Sequence, residues 1–119
     1  MESSNLPLNE HSLIAVLGNH IGKLNGITVS GLVRQIAGVT DAGLERECRR
    51  LIMELRMKGH HICGRPETGY FIAATADELR ETCEWLYSRA MTSLRQISAM
   101  QRVSLPDLRG QLNLLAGEE

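Results

Sequence analysis

Aromatic side chains are scarce in this chain: Trp85, Tyr70, Tyr87 and Phe71 make up 3% of its 119 residues. Its core must be assembled from Leu, Ile, Val, Ala and Met, which favours packed helices over a large sheet. Charge of one sign is missing too, because 13 Lys and Arg stand against 14 Asp and Glu, for a net charge of −1. That excludes a polycationic tail or a uniformly basic coat, so any nucleic-acid contact has to come from a local patch. Cys48, Cys63 and Cys83 form no CxxC pair, and the odd count reads as reduced thiols in a cytoplasm. No apolar run approaches the roughly 18 residues of a membrane span, and residues 1–10 lack the basic and apolar regions of a signal peptide. The expected protein has no membrane segment, and its length suits one domain.

What is present is a series of helix signals. Residues 1–8 read as a flexible arm. Asn9 is placed to cap a helix whose apolar face is Leu13, Ile14, Val16, Leu17 and Ile21. Residues 22–26 break it, and Ile27, Thr28 and Val29 read as a very short strand. Ser30 then caps a short helix carrying Leu32, Val33 and Ile36, which stops at Gly38. Thr40 or Asp41 caps a third helix that runs to Lys58 and ends at Gly59. Residues 60–63 and 70–73 are β-prone runs on either side of a turn-rich loop, which predicts a hairpin. Thr75 and Glu78 have capping-box spacing and open a long helix to about Val103, with Pro106 beyond it. The tail holds one apolar cluster, Leu108, Leu112, Leu114 and Leu115, suited to a short helix. The predicted class is mainly α with a small β-hairpin (α+β). Its predicted parts are an arm over 1–8, a helix-and-hairpin domain over 9–74, a long helix over 75–104 and a tail over 105–119.

Three stretches within residues 30–73 carry a resemblance. They are Ser30-Gly31-Leu32-Val33-Arg34-Gln35-Ile36, the run from Leu51 through Lys58-Gly59-His60-His61-Ile62, and Gly69-Tyr70-Phe71-Ile72. Their types and spacing resemble the second helix, the end of the recognition helix and the second wing strand of winged helix-turn-helix domains of the biotin-repressor type. The resemblance covers about a third of the chain. It departs in a turn at Ala37-Gly38-Val39 that is one residue longer and in a third helix nearly one turn longer. It implies a third helix that enters the DNA major groove and a hairpin "wing" near the backbone. Ala74-Thr75-Ala76-Asp77-Glu78-Leu79 and Tyr87-Ser88-Arg89-Ala90-Met91 also resemble small uncharacterised proteins of bacterial prophages, a likeness that brings no activity with it.

At about 100° per residue, Leu44, Cys48, Leu51, Ile52 and Leu55 share one stripe of the third helix. Opposite lie Ala42, Arg46, Arg49, Arg50, Met53 and Met57. Three guanidiniums thus share the outward face, and the small Ala42 and Gly43 let the helix end approach a groove. Arginine forks suit phosphate oxygens and the O6/N7 edge of guanine. Arg46, nearest the helix start, is the expected base reader, with Arg49, Arg50 and Thr40 near phosphates. Arg65, at the wing tip, is a further candidate for a phosphate or a narrow minor groove. Glu45, Glu47 and Glu54 flank the arginines and offer the plainer reading, a solvated face of ion pairs.

The long helix carries Leu79, Cys83, Leu86, Ala90, Ser93, Ile97 and Met100 at alternating spacings of four and three, with Leu94 widening the stripe. That is the pattern of a coiled-coil seam, and Ala90 and Ser93 would let a second helix cross closely. Trp85 lies off the seam. His60, His61 and Cys63 suggest a metal, but strand alternation sends His60 to the other face and no second pair has zinc spacing, so no metal or cofactor is expected. Asp77, Glu78, Glu81 and Glu84 fall in the first turns of a helix, where carboxylates meet the dipole. With no phosphate loop, GxSxG or HExxH in the chain, no catalysis is expected. Cys48 and Cys83 both read as packing residues. The expected function is a homodimeric double-stranded DNA-binding protein, a bacterial or prophage transcription regulator. The alternative is a winged-helix protein-interaction module of phage replication or assembly.

Overall fold

Each helix begins where a side chain can cover the backbone N–H groups that have no partner in the first turn. The computed structural model describes residues 6–101. Asn9 accepts a hydrogen bond from the Ser12 N–H at 2.9 Å, while the Asn9 N–H donates to Ser12 Oγ at 3.1 Å. This reciprocal pair opens α1 (Glu10–Leu17). Thr28 Oγ1 accepts from the Gly31 N–H at 3.0 Å and opens α2 (Val29–Ala37). Asp41 accepts from the Leu44 N–H at 2.8 Å and opens α3 (Ala42–Met57). Gly38 stops α2 in the left-handed conformation, at φ 85°, which residues with a Cβ adopt only at a cost. After α3 come β1 (Ile62–Arg65), β2 (Gly69–Ile72) and α4 (Ala76–Gln101). The chain is therefore mainly helical, with one small antiparallel hairpin and a long last helix, as its sequence predicts.

The first three helices pack Leu13 and Leu17 of α1, Leu32, Val33 and Ile36 of α2, and Cys48, Leu51, Ile52 and Leu55 of α3 into one core. Fully burying each large aliphatic side chain contributes roughly 1.5–3 kcal/mol. The hairpin serves two sides. Its register pairs Ile62 with Ile72, Cys63 with Phe71 and Gly64 with Tyr70. Ile62, Tyr70 and Ile72 join the three-helix core. Cys63 and Phe71 are buried as well, but alternation turns them to the opposite side, where the Cys63 thiol donates to the Glu78 carbonyl at 3.6 Å.

Several local expectations are corrected. α1 ends at Leu17, and Ile21 lies outside it, 49% exposed. The chain after α1 runs beside β2 instead: the Ile72 N–H donates to the His20 carbonyl at 2.8 Å and the Gly22 N–H to the Ile72 carbonyl at 2.9 Å. The short strand at 27–29 contracts to one bridge, in which Ile27 and Tyr70 exchange N–H···O bonds of 2.9 and 2.7 Å. A Cβ on Gly26 would sit 1.8 Å from the Thr68 carbonyl oxygen, so only glycine lets this segment meet the hairpin turn. That bridge holds the chain extended into Thr28, which caps α2 in place of Ser30. β1 starts at Ile62 rather than residue 60, because Gly59, at φ 97°, and His60 are still turning away from α3.

Thr75 Oγ1 accepts from the Glu78 N–H at 3.1 Å, as the expected capping box requires. The Glu78 carboxylate in turn takes a backbone bond from Thr75. It accepts from the N–H groups of Ala74 at 2.8 Å and Lys23 at 3.0 Å, and these bonds hold its pKa below the usual glutamate value. Lys23 Nζ adds an ion pair to Glu81 at 2.9 Å. These contacts place the first two turns of α4 with the domain: one compact unit extends through Thr82 and a second begins at Cys83. In the second unit the Arg89 guanidinium lies 4.9 Å from the centre of the Trp85 ring. The expected helix end at Val103 and the tail cluster Leu108, Leu112, Leu114 and Leu115 lie outside the described residues.

Candidate nucleic-acid interface

α3 is amphipathic in the way its sequence requires. Cys48, Leu51, Ile52 and Leu55 are buried, while Ala42, Gly43, Arg46, Arg49, Arg50, Met53 and Met57 are exposed. The helix thus brings Arg46, Arg49 and Arg50 onto one face directed away from the core. Their surroundings differ. Among the described residues Arg46 has no ion-pair partner. Arg49 Nη2 is 3.9 Å from Glu45 Oε1. Arg50 is held edge to edge by Glu47, with Nε donating to Oε1 at 3.0 Å and Nη2 to Oε2 at 2.7 Å. Glu54 Oε2 lies 3.8 Å from Arg50 Nη1. The same bonds lower the Glu47 pKa and raise that of Arg50.

The start of α3 is less open than its small residues suggest. Asp41 occupies the Leu44 N–H, and the Thr40 hydroxyl donates to Glu45 Oε2 at 3.0 Å. Thr40 therefore faces a carboxylate rather than open solvent. Arg65, the last residue of β1, is half-buried and leans on Glu67 at 3.6 Å, beside a turn closed by the Thr68 N–H and the Arg65 carbonyl at 3.1 Å. Arg56 points away from the basic face: its Nε donates to the Ile62 carbonyl at 2.7 Å and its guanidinium lies over Tyr70. Sequence reasoning passed over Arg34, exposed on α2 with no ion-pair partner among the described residues. Its place opposite Leu32, Val33 and Ile36 was the available signal.

The other candidate residues separate clearly. His60 and His61 are exposed and precede β1, whereas Cys63 is buried, so the structure does not bring the three together. Among the described residues, no group of three or more His, Cys, Asp or Glu is placed to hold a metal ion. Burial pushes the Cys48 thiol up to about 11, which makes it an inert packing group. Cys83, expected in the α4 seam, is exposed in the single chain. Along α4 only Thr82 is buried. Of the seam, Leu79, Leu94 and Ile97 are half-buried, and Cys83, Leu86, Ala90, Ser93 and Met100 are exposed. No helix among the described residues is long and apolar enough to cross a membrane. No protein-family profile, curated protein or solved structure matches the chain.

Proposed function

We propose that this chain is a winged helix-turn-helix protein that binds double-stranded DNA through α3 and pairs with a second copy through α4, as a transcription regulator does. The observation that carries the reading is the arginine face of α3. It stands opposite a fully buried stripe, on the third helix of a three-helix core followed by a hairpin. In that arrangement α3 enters the major groove, Arg46 approaches base edges, and Arg49 and Arg50 approach phosphates. The α4 seam supports pairing because a helix of about 40 Å exposes Leu86 and Met100, which a partner helix would remove from water. A cytoplasmic site of action fits three free cysteines.

A second reading has its own observation. The ion pairs of Arg49 and Arg50 with Glu45, Glu47 and Glu54 offset much of the positive charge, as a protein-interaction module with a solvated surface would have it. Titration of the full-length protein with a labelled duplex at several salt concentrations separates the two. Duplex binding that weakens steeply with salt supports the DNA reading; no binding at low salt rejects it and leaves the interaction module.

A further inference from the structure

Arg50 and Glu47 sit one turn apart on α3, and the carboxylate covers only the Nε–Nη2 edge of the guanidinium. A guanidinium carries five N–H donors in one plane. Glu54, at 3.8 Å from Nη1, is beyond hydrogen-bond range, so the Nη1–Nη2 edge still has donors to offer. Side-chain exposures of 50% for Arg50 and 44% for Glu47 leave the pair in solvent rather than in the core. Arg46 precedes Arg50 by one turn on the same exposed face, and Met53, 52% exposed, follows it.

We propose that Glu47 is a positioning residue that holds Arg50 as a reader of guanine in duplex DNA, an inference that rests on the DNA-binding reading above. A carboxylate beside an arginine works against simple phosphate contact, because it repels the phosphate. Beside a base reader it helps. It fixes the long side chain before docking, so less freedom is lost on binding, and the open edge matches the O6 and N7 acceptors of guanine. Met53 on the next turn supplies an apolar contact suited to a neighbouring thymine methyl. This moves base reading from Arg46 alone to a pair of arginines on successive turns.

The test is selection of bound duplexes from a randomised library with the full-length protein, followed by titration of the best duplex. The wild-type protein should select a site with a fixed guanine and lose affinity when 7-deazaguanine, which lacks N7, replaces it. Arg50→Lys, which keeps the charge and loses the fork, should cut the preference for that guanine over adenine about tenfold. Glu47→Ala should lower the same preference several-fold while tightening binding to a scrambled duplex about threefold, since a negative charge leaves the interface. Circular dichroism verifies that α3 is intact in each variant. A guanine preference that survives Glu47→Ala, or a selected site indifferent to Arg50→Lys, overturns the inference and leaves DNA binding standing. Failure of the library to enrich overturns both.

Discussion

α3 and α4 are both amphipathic by sequence, yet they solve the problem of an apolar face differently. The stripe of α3 disappears into the core, with Cys48, Leu51, Ile52 and Leu55 at most 6% exposed. α4 is ten residues longer but buries only Thr82. Its first two turns are fastened by Glu78, Glu81 and Lys23, and beyond Thr82 the seam leaves Cys83, Leu86, Ala90, Ser93 and Met100 exposed. One helix therefore stabilises the chain that contains it, while the other has apolar surface to give to a second chain. Periodicity alone does not distinguish the two; the number of elements available to cover each stripe does.

The largest effect should come from the α3 stripe. Leu55→Ala leaves a cavity in a site that is 1% exposed and should cost about 2–5 kcal/mol in urea unfolding. Leu86→Ala on α4 should scarcely move the same transition at low protein concentration. If the two substitutions cost alike, the contrast between the helices is wrong. Next, Ala90→Asp with Ile97→Asp places charge in the seam. Sedimentation should show a dimer for the wild-type chain and a monomer for the variant, a change of several kcal/mol in association. Cys83 should react with a thiol reagent faster in that variant, while Cys48 stays unreactive in both. A wild-type chain that sediments as a monomer at micromolar concentration removes the role assigned to α4.

A smaller effect concerns the exposed side of α3. Changing Arg46, Arg49 and Arg50 together to Ala should leave helicity unchanged, since Ala is the best helix former. It should reduce the salt slope of duplex binding by about one unit for each lost phosphate contact. Unchanged affinity and slope would assign the face to solvent. The smallest effect is a pH dependence at the joint between the domain and α4. The Ala74 and Lys23 N–H groups bond the ionised form of Glu78, so its pKa falls below 4.5 in the folded state. The stability this gives is present above the unfolded value and is lost as pH falls through the folded one. Glu78→Gln should be less stable than wild type near neutrality, and the gap should close on acidification below about pH 4. A constant gap from pH 7 to pH 3 would mean that the carboxylate charge contributes nothing there.

Local signals made the helices legible: Asn9 and Asp41 cap as their types suggest, and Gly38 and Gly59 take the positive φ that ends α2 and frees the chain after α3. What could not be read is non-local. The sequence points to Ser30 as the cap of α2, and it is the bridge from Ile27 to Tyr70, forty-odd residues away, that gives the place to Thr28. The end of α1 and the exposure of Ile21 follow from the same pairing with β2. At the arginine face the spacing placed three guanidiniums together, and i,i+3 and i,i+4 geometry allowed the glutamates to reach them. Spacing did not say that Glu47 would take the Nε–Nη2 edge of Arg50 and leave Arg46 alone. Nor did the sequence show Arg56 turned aside, because its partner is a backbone carbonyl.

That turned arginine has a consequence for how the protein resists misassembly. The register leaves the N–H and C=O of Ile62 and Gly64 directed away from β2, along the outer edge of the hairpin. Such an edge is a template on which a stray strand can grow. Here the Ile62 carbonyl is taken by Arg56 Nε and the Ile62 N–H by the His60 carbonyl at 2.9 Å, while Gly64, the other outward-directed residue of β1, is buried. The other edge, on β2, is filled by residues 20–27. A cationic side chain thus occupies a carbonyl on which β-augmentation or amyloid-like stacking could begin.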